Sequence, residues 1–427
     1  MSKSYKKISE LIDEISMGPF GSDIKVEYFE KQGVPVLNGS NIAGVKLKDG
    51  FKNHVSHERA KGYKKAVARR GDIVITHRGT LGQIAYIPDD SKFEEYVISQ
   101  SQFRVKLKSE LINPIYFAYY FHTNEGQKRL LSFKSHVGVP ALAQATTNFR
   151  LLDFPIRPKR EQDAIANVLE SIDKKIELNN RANAELESMA KTLYDYWFVQ
   201  FDFPISKEQA KAMGKPELES KPYKTSGGKM VYNPTLKREI PEGWSDKTLS
   251  QIANITMGQS PEGSSYNEEG AGTIFYQGST DFGWLFPTTR QYTTAPSRMA
   301  KKGDILLSVR APVGDMNIAN TDCCIGRGLA ALNSKTGSDG FLFYVMKYFK
   351  QIFDRRNSEG TTFGSITKND LHSLTLSYPT SDLLKKYDEI VTNYNKMIFE
   401  RSLENRELIS LRDWLLPMLM NGQVTVR

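Results

Sequence analysis

Cysteine is almost absent from this 427-residue chain: the only two, Cys323 and Cys324, are adjacent. Such a pair cannot build a disulfide framework or a four-ligand zinc site by itself, and it fits a reducing compartment. Long apolar runs are missing too, none approaching the roughly 18–20 residues of a membrane span. The opening MSKSYKKISELIDEIS lacks the apolar segment of a secretory signal, so the chain reads as cytoplasmic, with no membrane partner. Catalytic signatures are equally scarce. There is no G-x-x-x-x-G-K-[ST] phosphate loop and no G-x-G-x-x-G opening a helix after a strand. Nor is there an Asp/Asn-Pro-Pro-aromatic tetrapeptide, with which amino-methyltransferases hydrogen-bond their target nitrogen. His54 and His57 have a ligand-like spacing but no neighbouring carboxylate or cysteine cluster, so no metal site is expected. Pro88-Asp89-Asp90-Ser91-Lys92 hints at a nuclease pattern but reads more simply as an exposed turn. A non-catalytic chain that binds no cofactor of its own is expected.

What is present is a core-forming composition, 39% hydrophobic and 11% aromatic, with a mean hydropathy of −0.46. The net charge of +9 is unevenly placed. Residues 1–157 carry 24 basic and 16 acidic side chains (+8), residues 158–243 carry 14 and 14, and residues 244–427 carry 20 and 19 (+1). Lys61, Lys64, Lys65, Arg69 and Arg70 are bunched within the first of these. A basic domain attracts phosphate backbones by field and counterion release, although charge alone equally describes a solubilising face.

The chain repeats itself. Ile15-Ser16-Met17-Gly18 recurs as Ile255-Thr256-Met257-Gly258, and Asn38-Gly39-Ser40 as Gln277-Gly278-Ser279. Arg70-Gly71-Asp72-Ile73-Val74-Ile75-Thr76-His77-Arg78 recurs as Lys302-Gly303-Asp304-Ile305-Leu306-Leu307-Ser308-Val309-Arg310. Within each copy short β-rich runs, Ile73 to Thr76 with Ile84 to Ile87 and Ile305 to Val309 with Met316 to Ala319, read as strands. One helix per copy is expected near Pro114–Arg129 and Phe341–Arg356, its aromatic side packing into a core.

Each copy closes with a heptad pattern. Ile165, Leu169, Ile172, Ile176, Asn179, Asn183, Leu186, Ala190 and Leu193 alternate steps of four and three. A shift of 222 gives Tyr387, Val391, Tyr394, Ile398, Arg401, Asn405, Leu408, Arg412 and Leu415. Both seams are apolar, then polar, then apolar, and polar seam positions fix register at some cost in stability. The two helices are therefore expected to pair antiparallel. The fold class is α+β: two β-rich α/β units separated by two long helices forming an antiparallel coiled coil, related by a pseudo-two-fold internal repeat. The first helix, Arg160 to Trp197, would be about 57 Å long at ~1.5 Å per residue, more than one DNA turn of ~34–36 Å. A polar connector, Phe201 to Gly243, rich in turn chemistry, follows it.

Polar loops fall at matching places in the two copies. They pair Gly18–Ser22 with Gln259, Ser40 and Asn41 with Ser279, and His77, Arg78 and Thr80 with Ser308 and Arg310. Gln100 and Gln102 match Arg327, and Lys134 and His136 match Thr361 and Thr362. Arginine suits guanine O6/N7 or a phosphate, and glutamine can pair bidentately with adenine. Recurrence in register with different side chains points to two related readers of different sequences.

This layout resembles the specificity (S) subunit of type I restriction–modification systems over the whole chain. The resemblance rests on the two units each followed by a long helix, on Arg160-Glu161-Gln162 leading into helix one, and on Tyr196-Trp197-Phe198-Val199-Gln200-Phe201-Asp202-Phe203-Pro204 after it. It rests also on Pro241-Glu242-Gly243-Trp244 before the second unit and Leu415-Leu416-Pro417-Met418-Leu419-Met420-Asn421-Gly422-Gln423 near the C-terminus. The first unit departs from it in lacking a Pro-Glu-Gly-Trp lead-in, and helix two begins with Asp382-Leu383-Leu384 instead of Glu-Gln. The resemblance implies target-recognition domains at 1–158 and 244–381, spacer helices at 159–200 and 382–420, a connector at 201–243 and a tail at 421–427. It implies a non-catalytic subunit whose domains each read half of a bipartite, asymmetric site in double-stranded DNA, the helices setting the gap. Two methyltransferase (M) subunits would dock on the helices and bring S-adenosylmethionine for adenine N6 methylation, and two restriction (R) subunits can join with ATP and Mg. The alternatives left open are an orphan specificity subunit serving methylation only, a coiled-coil scaffold for protein partners, and a cryptic nuclease using Asp89, Asp90 and Lys92.

Overall fold

A computed structural model describes residues 4–19, 23–135, 139–358 and 365–426. The chain forms two compact units, residues 1–177 with 406–427 and residues 178–405.

In the first unit, strands Ile12–Met17 (β1), Ile73–Thr76 (β2), Ile84–Tyr86 (β3) and Gln102–Leu107 (β4) form an antiparallel sheet in the order β1-β4-β2-β3. In the second unit, Ala253–Met257 (β5), Ile305–Ser308 (β6), Met316–Ile318 (β7) and Leu329–Ser334 (β8) form a sheet in the equivalent order β5-β8-β6-β7. The repeat in sequence is thus a repeat in topology. The Arg-Gly-Asp and Lys-Gly-Asp stretches make the same turn into β2 and β6. Asp72 accepts from the Arg69 amide at 2.9 Å and Asp304 from the Lys301 amide at 2.9 Å, while Gly71 and Gly303 take φ of 82° and 96°. That is a left-handed conformation which glycine adopts without steric cost.

Both sheets are covered on both faces, which is why β2 and β6 are continuous apolar runs and not alternating ones. Ile73, Ile75, Phe103 and Val105 face helix Pro114–Phe121 (α1), Phe149 and Phe154, whereas Val74 faces Leu37, Ile42, Tyr96 and Ile98. The rings of Phe117 and Phe154 stack at 4.9 Å. Tyr116 through Phe121 are all buried, so these aromatics are core, as expected. The single helix expected over 114–129 is two, because Thr123 caps a separate helix, Asn124–Leu130, by accepting from the Gly126 amide. In the second unit Ile305, Leu307 and Leu332 pack with Phe341, Leu342 and Val345 of a helix spanning Asp339–Ser358. Leu306 packs with the buried Cys323, and burial pushes that thiol's pKa up to about 12, so it is an inert core residue.

The long helices span Lys159–Tyr194 (α2) and Ser381–Asn421 (α3). They pair antiparallel within each unit. In the first, Arg412 bonds Asp173 at 2.7 Å, and Leu416 and Leu419 join the cluster of Ile165 and Leu169. In the second, the Tyr387 hydroxyl donates to the Ala190 carbonyl at 3.1 Å. The polar step of the seam is a buried amide layer: Asn179 Nδ2 donates to Asn405 Oδ1 at 2.9 Å and to Glu404 at 2.8 Å, and Asn405 Nδ2 donates to Asn180 at 2.9 Å. Among the seam positions, Ile172, Ile176, Leu186, Tyr394, Arg401 and Leu408 are half-buried, and Val391, Ile398 and Asn183 are buried. No described helix is long and apolar enough to cross a membrane.

The polar connector at 201–243 is folded. It contains a capped helix, Lys207–Ala212, and a hairpin, Met230–Asn233 with Arg238–Pro241. Phe201, Phe203, Ile205, Tyr223 and Ile240 are buried in the second unit's core, and Phe203 stacks on Tyr223 at 4.6 Å and on Trp244 at 5.4 Å. The aromatics, not the average polarity of the segment, decide its folding, since each buries a large apolar area.

Candidate nucleic-acid interface

The polar loops of each unit are held together by the same backbone crossings. Gly18 N donates to the Gln102 carbonyl at 2.8 Å, and Gly258 N to the Leu329 carbonyl at 2.9 Å. A Cβ on Gly18 would sit 1.9 Å from the Ser99 carbonyl oxygen, and one on Gly258 would sit 2.1 Å from that of Gly326, so only glycine fits this crossing. His77 N donates to Ser101 and Val309 N to Gly328, both at 2.9 Å. The hairpin arginines then bridge the next loop in the same way, Arg78 opposite Ala141 and Arg310 opposite Ser365. The crossings make Gln100 and Arg327 equivalents, and both are exposed, as are Arg78 and Arg310.

In the first unit this assembly opens onto a cleft of about 1280 Å³, lined by Arg59, Lys64, Lys65, His77, Arg78 and Gln100 among others. The His77 ring nitrogen Nε2 lies 3.1 Å from the Gln100 carbonyl. Burial, with a contribution from neighbouring Arg78, lowers the pKa of His77, which favours a neutral ring near pH 7. Arg59 stacks over the Tyr28 ring, 3.4 Å from its centroid, so its charge is fixed at the cleft wall. In the second unit the loops are joined through Ser260, whose Oγ accepts from Gln277 Nε2 at 2.9 Å and from the Arg327 amide at 3.3 Å.

The structure brings His77, Arg78 and Gln100 of the sequence candidates into the cleft. Ser40, Thr80 and Lys134 are exposed without lining it, Gln259 is exposed, and Ser279 is half-buried. Three candidates are buried inside their own loops. Asn41 accepts from the Asn38 amide at 3.0 Å and donates to the Lys48 carbonyl, Gln102 accepts from the Ser99 amide at 2.9 Å, and the Ser308 hydroxyl donates to the Arg310 carbonyl at 2.9 Å. These shape the loops from within. Ser22, His136, Thr361 and Thr362 lie outside the described residues. Arg59 and Tyr28 carry no sequence motif; the one available signal for Arg59 was its nearness to the basic cluster beginning at Lys61. Among the described residues no group of histidine, cysteine or carboxylate could hold a metal. Asp89 and Asp90 are exposed at a turn in which Ser91 N donates to the Pro88 carbonyl, and Asp90 lies 3.8 Å from Lys46.

The profile of the type I restriction modification DNA specificity domain matches this chain twice, at residues 20–188 and 241–405. The chain belongs to that family. It is a specificity subunit, a non-catalytic DNA-recognition component of a type I restriction–modification complex. It is 28% identical to the MjaX specificity subunit of Methanocaldococcus jannaschii over 93% of this chain and 89% of that one. It is 22% identical to the HindI specificity subunit of Haemophilus influenzae over 85% and 88%. The S subunit from M. genitalium shares the fold, with a TM-score of 0.61 at 17% identity over 98% of this chain and 96% of that one. The two profile matches, like the two sheets, fall one in each half of the chain.

Proposed function

We propose that each unit reads one half of a bipartite, asymmetric site in double-stranded DNA, and that the paired helices set the gap and dock two methyltransferase subunits. Those subunits supply S-adenosylmethionine and adenine N6 methylation, the target base being flipped from the duplex. Restriction subunits, where present, bring ATP and Mg. The observation that carries this reading is the equivalence of the exposed pairs Arg78 with Gln100 and Arg310 with Arg327 on identical backbone crossings. One scaffold thus presents two different sets of base-reading groups. Direct contacts fall to these exposed residues, with Asn41, Gln102 and Ser308 shaping the loops behind them. Phosphate contacts from the cleft lysines and arginines give affinity and register, and base contacts give specificity.

The test is selection of bound duplexes from a random pool, using this chain co-purified with its methyltransferase. Two short elements enriched at a fixed gap are expected. A complex that binds S-adenosylmethionine yet enriches no sequence overturns the reading in favour of a protein-binding scaffold.

A further inference from the structure

Arg104 is a charged side chain buried to 4% exposure on β4. Its guanidinium has three partners: Glu14 at 2.8 Å, Asp72 at 3.1 Å and the Lys65 carbonyl, which accepts from Nε at 2.5 Å. Glu14 lies on β1 and Asp72 at the turn into β2, so two of the bonds stay on the sheet. The third reaches a separate turn, Lys64–Ala66, in the wall of the cleft. There Lys64 takes a φ of 48°, a left-handed conformation that costs a lysine free energy. Lys64 and Lys65 are both exposed and both line the cleft, so adjacent like charges add to that cost. The Ala66 amide on the Tyr63 carbonyl at 2.9 Å and the Ile98 amide on the Ala66 carbonyl at 3.1 Å hold the end of this turn, and Arg104 adds a hold at Lys65, since a planar fork with five donors can bind two carboxylates and a carbonyl at once.

Among the described residues the second unit has no such hold. Arg104 pairs with Val74 across the sheet as Ala331 pairs with Leu306, so alanine stands at the equivalent position. Asp304, the counterpart of Asp72, accepts instead from Asn333 Nδ2 at 3.0 Å. The charge imbalance of +8 in residues 1–157 against +1 in residues 244–427 follows the same division.

We propose that Arg104 is a positioning residue that holds Lys64 and Lys65 against the DNA backbone and makes the first unit the electrostatic anchor of the chain. This rests on the DNA-recognition reading above.

The test measures binding of the chain–methyltransferase complex to its selected duplex across a salt series. Arg104→Lys keeps a positive charge beside Glu14 and Asp72 but removes the forked bond to Lys65. With the melting temperature unchanged, the slope of log K against log salt is expected to fall by about 1–2, at ~0.9 for each phosphate no longer neutralised. Lys64→Ala/Lys65→Ala should lower it equally, and the combined variant no further. An unaltered slope in Arg104→Lys beside a lowered one in the double lysine variant refutes the positioning role and leaves DNA recognition standing. An unaltered slope in both refutes the anchor. If Arg104→Lys unfolds, the neutral set Glu14→Gln/Asp72→Asn/Arg104→Met removes the buried charges together and must give the same fall in slope. A wild-type complex with no sequence-selective binding would instead refute the recognition reading itself.

Discussion

Replacing Asn179 with leucine should destabilise the second unit, and replacing Asn405 with leucine as well should restore much of what is lost. Asn405 is 7% exposed and its Oδ1 accepts from Asn179 Nδ2 at 2.9 Å. In Asn179→Leu that oxygen is left buried without a donor, at a cost of about 1–3 kcal/mol. Glu404 loses a bond too, but it is half-buried and can turn to water. In the double variant the unsatisfied oxygen is gone, and Asn180, which loses its donor, is exposed to solvent. Two leucines facing each other at the seam, beside the remaining polar positions Asn183 and Arg401, then bring the change close to neutral. The unit spans residues 178–405, a size for which 1 kcal/mol moves the melting temperature by about 2–4 °C. Calorimetry should therefore give a single variant some 2–12 °C below wild type and a double variant within a few degrees of it. The helix pair of the double variant, without the buried amide pairing between Asn179 and Asn405, should also protect its amides from exchange less uniformly. Additive losses, with the double variant as low as the two singles summed, would refute the account of the layer as a paired amide.

Arg78→Ala should weaken binding to the first half-site alone by about 1–3 kcal/mol, and Arg310→Ala the second alone; competition with duplexes altered in one half distinguishes them, and equal effects on both halves count against base reading. Gly18→Ala and Gly258→Ala force a Cβ to within 1.9 and 2.1 Å of a carbonyl oxygen, so each should destabilise its own unit by about 1–3 kcal/mol, seen as faster proteolysis of that unit alone. His122, whose Nε2 lies 2.8 Å from the Ile84 carbonyl, has its pKa lowered mainly by burial. The unfolded chain thus takes up a proton at a higher pH than the folded one, and the stability of the first unit should fall as pH drops through about 6.5 and below. His122→Gln should flatten that slope in pH-dependent melting, and an unchanged slope would assign it to other groups.

Much of this protein was legible in its sequence because the signals were local or periodic. The tandem repeat placed the two sheets, the alternation of fours and threes placed a helix seam with a polar middle at Asn179, Asn183, Arg401 and Asn405, and the Arg-Gly-Asp and Lys-Gly-Asp stretches marked one turn twice; the pairing of Asn179 with Asn405 was settled by the fold. Tertiary structure decided what lies between distant segments. Asn41, Gln102 and Ser308 look like surface readers in sequence, yet all three are buried, where the Asn41 amide, the Gln102 Oε1 and the Ser308 hydroxyl bond backbone groups of their own loops. The 201–243 segment looks like a linker by composition, but Phe201, Phe203 and Tyr223 find Trp244 and fold it. Arg104 looks like an ordinary strand residue beside Phe103. Its role depends on Glu14, Asp72 and Lys65, which lie 90, 32 and 39 residues away along the chain. Periodicity carries information about which face of an element is apolar; which distant polar group meets a buried charge is settled only when the sheet brings them within hydrogen-bonding distance.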